Sequence, residues 1–178
     1  LSKWLKVEVG RDGKVYRQTF QLGNPVSKLQ EVDKTQKTGT VISFQPDETI
    51  FEDIDFKYDT VCQHLRELAF LNRGVRISIR DERNNLEETF FFEGGLVQFV
   101  EYLNKTRTKL HQPLYFKKEV GNIEAEIAIQ YTASYSESIY SFANDIKTVD
   151  GGTHVSGFRT GLTRVLNDYG EESRILKE

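Results

Sequence analysis

Two short stretches combine glycine with threonine where a strand or a helix is predicted to begin. In Thr38-Gly39-Thr40, the glycine lets the backbone approach a ligand closely and a threonine hydroxyl is free to hydrogen-bond it. In Asp150-Gly151-Gly152-Thr153, the free N–H groups at a helix start can receive an anion. Each stretch also has a structural interpretation, because a turn glycine often precedes a strand and Thr153 can cap a helix. From the residues alone we favour the structural interpretation of both.

Other residue patterns predict no catalytic residue and no metal ligand. The histidines His64, His111 and His154 are far apart in sequence, and none shares a ligand-spaced motif with cysteine or carboxylates. Cys62 lies on an apolar helical stripe, where a thiol acts as a small packing residue. The common nucleotide-binding and hydrolase motifs are missing from the sequence. Residue patterns alone therefore predict no catalytic activity.

Composition describes a globular chain. The 178 residues are 38% hydrophobic and 29% charged, with three prolines and no low-complexity tract. A net charge of -3 excludes a chain-wide attraction to nucleic acid, so any contact with a polyanion must be local. No apolar run approaches the roughly 20 residues that a membrane span needs.

The cysteine count and the first residues bear on cellular location. One cysteine excludes an intrachain disulfide, and no secretion signal pattern is present, so we expect a cytoplasmic protein. The chain starts at Leu1 and contains no methionine, from which we expect a piece of a larger protein.

The first half of the chain predicts strands around one helix. A hairpin is expected over residues 4–20, an excursion with one short strand over 21–38, and a strand over 40–44 that Pro46 stops. Apolar residues at helical spacing predict a helix over 56–71, which Gly74 ends. Two alternating strands then surround an Asn84-Asn85 turn.

The second half repeats this alternation after Gly94-Gly95. A short helix is predicted over 96–103, followed by three strand-like runs over 114–120, 123–132 and 136–146. A final helix has one apolar face, formed by Val155, Phe158, Leu162, Val165, Leu166 and Tyr169. Antiparallel meanders alternating with single helices predict an α+β fold with helices layered on sheets.

Five stretches, spread over nearly the whole chain, resemble the gyrase B family, the ATP-binding subunits of DNA gyrase, and its close relative, the ATPase subunit of topoisomerase IV. They are GRDGKVYRQTF (10–20), KTGT (37–40), LRELAFLNRGVRISIRDER (65–83), FEGGLVQFVEYLN (92–104) and DGGTHVSGFRTGLTRVLNDY (150–169). The resemblance implies the function of that family, a type II DNA topoisomerase (an isomerase) that couples ATP hydrolysis to strand passage and negative supercoiling.

The same resemblance implies a two-domain organisation. Residues 1–94 would be the C-terminal part of a Bergerat-type (GHKL) ATPase domain with an antiparallel sheet. Residues 95–178 would begin a transducer domain that resembles the second domain of ribosomal protein S five. Gly94-Gly95 would mark the junction.

Site residues are also implied by the resemblance. Thr40 matches the threonine of the adenine-recognition network, next to Gly39, and Ile42 matches an aliphatic residue that lines the nucleotide pocket. Arg11 matches an arginine at the pocket lip that contacts aminocoumarin inhibitors. Arg159 matches a cation facing the cavity that holds DNA, and the glycines before it would form a turn, not a nucleotide cradle.

The resemblance further implies ATP and Mg²⁺ as cofactors. It places the family's catalytic glutamate, magnesium-binding asparagine, adenine-binding aspartate, lid and γ-phosphate lysine outside this sequence, so the chain alone is expected not to hydrolyse ATP. Implied partners are DNA, the gyrase A subunit in an A2B2 heterotetramer, a second copy of gyrase B on ATP binding, and aminocoumarin-type inhibitors. No membrane partner is expected.

Two alternatives remain beside gyrase. The first is the topoisomerase IV ATPase subunit, because the DNA-wrapping element that distinguishes the two enzymes belongs to the partner protein. The second is a non-enzymatic scaffold of the same fold that contacts DNA, against which the acidic pI of about 5.7 argues.

Overall fold

The protein is described from a computed structural model, which covers residues 1–175. It divides into two compact units, Leu1–Lys57 and Tyr58–Glu178. The first unit is an antiparallel sheet of five strands, in which β4 pairs with β2 and the others follow the order β3-β2-β1-β5. The strands are β1 (Ser2–Arg11), β2 (Lys14–Gln21), β3 (Asn24–Pro25), β4 (Gln30–Lys34) and β5 (Gly39–Pro46).

The predicted hairpin is the centre of this sheet. Asp12 and Gly13 both have positive φ, the conformation that a two-residue turn between twisted strands requires. Arg17 on β2 donates to the Glu8 carboxylate on β1, and this hydrogen bond, with Lys6 nearby, lowers the pKa of Glu8. The hairpin therefore has its register fixed by both its turn and its cross-strand charges.

The second unit contains the buried core. Helix α1 (Tyr58–Leu71) packs on the hairpin of β6 (Arg76–Asp81) and β7 (Leu86–Phe91), and also on α2 (Gly95–Leu103). The buried hydrophobic side chains of this core are Cys62, Ala69, Phe70, Phe90 and Phe99. Cys62 is 4% exposed, which confirms its interpretation as a packing residue.

The rest of the second unit consists of two hairpins and a long helix. The hairpins are β8 (Leu114–Val120) with β9 (Ile123–Ile129), and β10 (Phe142–Ala143) with β11 (Ile146–Lys147). The final helix is α3 (Thr153–Glu172). The predicted α+β class and its antiparallel sheets are confirmed.

Two local predictions are wrong. The strand-like run over 136–146 is irregular until Phe142, where only the two-residue strands of the β10–β11 hairpin form. Asn144 and Asp145 turn that hairpin with positive φ. Thr153 is not the cap of α3 but its first helical residue, because Gly152, at φ 155°, takes the cap position and makes no side-chain cap bond.

None of the helices within residues 1–175 combines the length and apolarity needed to cross a membrane. The predicted domain junction at Gly94-Gly95 lies inside the second unit, where α1 on one side of it packs against α2 on the other. The position of the domain boundary stays a prediction.

Candidate functional site

Strand β5 carries the first group of predicted site residues. It pairs with β1 along its length, which sets Thr40 beside Val9 and Ile42 beside Val7. Because alternate strand residues share a face, Thr40, Ile42 and Phe44 point to the same side. Ile42 is 59% exposed and Phe44 50% exposed. The strand thus offers a hydroxyl followed by open apolar surface, a combination that suits a flat heterocycle with polar edges.

Gly39 and Arg11 lie at the same end of the sheet as Thr40. Gly39 pairs with Gly10, the residue before Arg11. The Arg11 guanidinium is 3.5 Å from the Asp12 carboxylate, with both side chains about four-fifths exposed. The register therefore gathers Arg11, Gly39 and Thr40 at one end of β1 and β5, with Ile42 two residues farther along.

Gly10 positions this end of the sheet, and sequence reasoning did not single it out. A Cβ atom at Gly10 would lie 2.7 Å from the carbonyl oxygen of Lys37 and 3.2 Å from the Thr35 methyl group. The Thr35 N–H also donates to the Gly13 carbonyl at 3.1 Å. The segment before Gly39 is thus held directly against the hairpin end. A glycine within a strand pattern was the available signal, since it often marks close backbone approach.

Helix α3 carries the second group. Arg159 forms an ion pair with Glu137, and both side chains are more than half exposed. Arg159 shares one open face of α3 with Thr160, Thr163, Arg164 and Asn167. Two guanidinium groups and three neutral polar side chains form a surface suited to phosphate oxygens. Of this set, sequence reasoning named only Arg159 as a contact residue.

The glycines before α3 form a turn. The Gly151 N–H donates to the Thr148 carbonyl at 3.0 Å, and Gly151 has φ 73°. At Gly152 a Cβ atom would lie 2.9 Å from the His154 ring, so the close approach of that ring adds to the need for glycine. The His154 ring in turn lies 3.3 Å from the Thr148 hydroxyl.

Within residues 1–175, no group of three or more histidine, cysteine, aspartate or glutamate side chains is arranged to hold a metal ion.

Comparison with solved structures identifies the fold. The crystal structure of the 43K ATPase domain of Thermus thermophilus gyrase B, in complex with an aminocoumarin, superposes with a TM-score of 0.83 at 34% identity, covering 100% of this chain and 50% of that one. The crystal structure of DNA gyrase B from Myxococcus xanthus gives a TM-score of 0.84 at 27% identity, covering 96% and 51%. The fold is that of the gyrase-type ATPase subunit.

Sequence comparison finds relatives among the B subunits of DNA gyrase. Residues 95–178 match the family described as DNA gyrase B. The DNA gyrase B protein of Halalkalibacterium halodurans is 50% identical over 100% of this chain and 28% of its own length, and that of Myxococcus xanthus is 48% identical over 100% and 22%. The corresponding protein of DNA topoisomerase 4 from Bacillus subtilis is 44% identical over 100% and 27%. The chain is thus 44–50% identical over its full length to these proteins of DNA gyrase and topoisomerase 4, and it spans less than a third of their length.

Proposed function

We propose that this chain is part of the ATP-binding subunit of a type II DNA topoisomerase, a DNA gyrase. In the longer protein it would couple ATP binding and hydrolysis to DNA strand passage and negative supercoiling. The observation that carries the proposal is the 45–50% identity that several DNA gyrase B proteins have to it over the whole chain. The matched region spans the whole chain and so includes both groups of site residues.

The domain assignment is part of the proposal. Residues 1–94 form the later part of the GHKL ATPase domain, and residues 95–178 form the beginning of the transducer. The family match that begins at residue 95 supports this division.

The nucleotide would bind at the exposed face of β5. The Thr40 hydroxyl would hydrogen-bond the adenine network beside Gly39, and Ile42 would contact the base. Arg11 would stand at the lip, where aminocoumarin inhibitors would meet it. The exposure of Ile42 and the side it shares with Thr40 fit this assignment. Bound Mg·ATP supplies the transferable phosphoryl group.

Magnesium ligands and catalytic residues are expected elsewhere in the longer protein. We therefore expect the 178-residue chain alone to bind ATP very weakly and not to hydrolyse it. A micromolar dissociation constant measured by calorimetry would contradict this expectation.

Helix α3 would contact DNA. Arg159 would donate to phosphate oxygens without reading sequence, and its exposed guanidinium on an open helix face supports this role. The proposed assembly is cytoplasmic, with the gyrase A subunit in an A2B2 heterotetramer whose two gyrase B copies dimerise on ATP binding.

A topoisomerase IV ATPase subunit is the second candidate. It is supported by the 44% identity to the DNA topoisomerase 4 relative from Bacillus subtilis, close to the values for the gyrase relatives. The two candidates differ in the reaction of the assembled enzyme.

The test uses the longer parent protein purified with its partner subunit. On relaxed circular DNA with ATP, the gyrase proposal predicts negative supercoils. ATP-dependent decatenation and relaxation without supercoiling would support the topoisomerase IV candidate. If no ATP-dependent change of topology occurs, both proposals fail and the scaffold alternative becomes the better one.

A further inference from the structure

A part-buried ion pair joins two residues that lie eighty positions apart in the sequence. The Lys147 ammonium, at the end of β11, is 3.0 Å from the Glu67 carboxylate on α1. The Glu67 side chain is 9% exposed and the Lys147 side chain 33%. Lys147 also lies over the Tyr140 ring, 5.2 Å from its centroid. Its ammonium is thus held by a carboxylate and an aromatic face.

Arg66, the neighbour of Glu67, anchors α1 to a different element. Its guanidinium donates to Glu88 on β7 at 2.9 Å and to the Tyr102 hydroxyl on α2 at 3.1 Å. It also lies 5.0 Å from the centroid of the Phe90 ring. Successive residues of α1 therefore hold two elements that follow Gly95: α2 through Arg66, and β11 through Glu67.

From Lys147 the polar contacts continue to the start of α3. The next residue, Thr148, shares a 2.6 Å hydroxyl contact with Ser141. This contact closes the open end of the β10–β11 hairpin, opposite its turn. The same Thr148 hydroxyl lies 3.3 Å from the His154 ring, in the first turn of α3. Between Thr148 and that turn stand only Val149, Asp150 and the two glycines.

We propose that Glu67 is a positioning residue, which fixes the β10–β11 hairpin through Lys147 and, through Thr148, the orientation of the helix that carries Arg159. The inference rests on the proposed function, in which α1 belongs to the ATPase domain and α3 to the transducer. Glu67 then links the nucleotide-responsive part of the protein to the part that meets DNA.

The charge on Glu67 matters because the group is desolvated. A carboxylate this buried is stable only with its partners, and without Lys147 it keeps, among residues 1–175, a 3.4 Å hydrogen bond from Gln63. The apolar contacts between α1 and α2, such as the one between the rings of Phe70 and Phe99, do not depend on this pair. Loss of the pair should therefore free the hairpin and leave the α1–α2 packing in place.

The experiment uses the longer parent protein with its partner and measures ATP turnover with and without DNA. We expect Glu67→Gln and Lys147→Met each to lower the stimulation by DNA on the order of 2- to 30-fold, the range found for coupling residues, and to leave basal turnover unchanged. The double variant should be no worse than the worse single variant, because both changes remove one interaction. Lys147→Arg should keep the stimulation.

Lys117→Met is the matched control. Lys117 also pairs with glutamates, Glu124 and Glu126, but both belong to its own β8–β9 hairpin. Equal loss in this control, additive losses in the double variant, or unchanged stimulation in the single variants would overturn the inference. A fall of basal turnover in proportion to thermal stability would also overturn it, since that pattern indicates a merely structural role.

Hydrogen exchange gives a readout that does not depend on activity. In Glu67→Gln, we expect faster exchange at Thr148 and Ser156, whose N–H groups donate to the Ser141 and Gly152 carbonyls. Unchanged exchange at these amides would contradict the inference even in an active enzyme. A wild-type parent without DNA-stimulated turnover would instead contradict the proposed function, so the two failures are distinguishable.

Discussion

Phe70 lies face to face with Phe92, with ring centroids 3.6 Å apart and ring planes within 9° of parallel. Phe70 is 1% exposed and its ring also contacts Phe99 and Tyr102 on α2. One side chain of α1 thus packs against residues on both sides of the Gly94-Gly95 turn. Residues 58–94 and the residues that follow Gly95 share this core, so we expect these parts of the second unit to unfold together.

Phe70→Ala should destabilise the second unit by about 3–5 kcal/mol, because it removes a fully buried ring and leaves a cavity. The measurement is the free energy of unfolding in urea, followed by circular dichroism. Phe116→Ala is the control, since Phe116 is 53% exposed on β8 and should change stability far less. Equal losses in the two variants would contradict the importance of this core.

Acid should weaken the β6–β7 turn. Two hydrogen bonds from the Arg83 guanidinium to the Asp81 carboxylate, 2.9 and 2.8 Å long, are the main reason that the pKa of Asp81 falls to about 2. In the unfolded chain an aspartate has a pKa of about 3.9. The Asp81–Arg83 contact therefore stabilises the fold above that pH, and this stabilisation is lost as the pH falls towards about 2. Asp81→Asn should remove this part of the pH dependence, measured as the urea midpoint between about pH 5 and pH 2. Parallel curves for the two proteins would rule the assignment out.

Thr40→Val in the longer parent should weaken ATP binding about 2- to 13-fold, the effect of one lost hydrogen bond at constant side-chain shape. Fluorescence titration with a non-hydrolysable ATP analogue checks it. Ser43→Ala is the matched control, because Ser43 lies on the opposite face of the same strand. If Ser43→Ala weakens binding as much as Thr40→Val, the nucleotide does not bind on the face assigned to it.

Arg159→Ala should lower the salt dependence of DNA binding by the parent, reducing the slope of log K against log salt by about 1. Glu137→Gln should have the opposite effect on affinity, tightening binding up to about fivefold, because an exposed ion pair that competes with phosphate is lost. Arg80→Ala is the control, since Arg80 is an exposed arginine of β6. A slope unchanged in Arg159→Ala would remove this residue from the DNA contact.

Local patterns were enough to predict the elements whose side chains fix them. The apolar spacing from Tyr58 onward predicted α1 to within two residues, and Gly74, with φ 77°, ends it as expected. The Asn84-Asn85 turn was predictable because Asn85 tolerates its φ of 51°. Each of these features depends on residues that are close to one another in the sequence.

The failures have a different physical cause. The run over 136–146 has strand-like residues, but Ser134 and Ser136 hydrogen-bond each other and the local backbone, which competes with strand pairing. Contacts between distant positions, such as that of Glu67 with Lys147, leave no local signal at all. The site residues on β5 were named through family resemblance, since their spacing alone favoured an ordinary turn.

Cys62 gives the protein a built-in chemical reporter. It is the sequence's one thiol and is buried in the core that α1 forms with β7, so a water-soluble thiol reagent can reach it only when that core opens. Its rate of labelling therefore measures transient opening of the second unit alone, because the first unit has no cysteine. Variants at Glu67 or Phe70 can be ranked in this way without adding a probe.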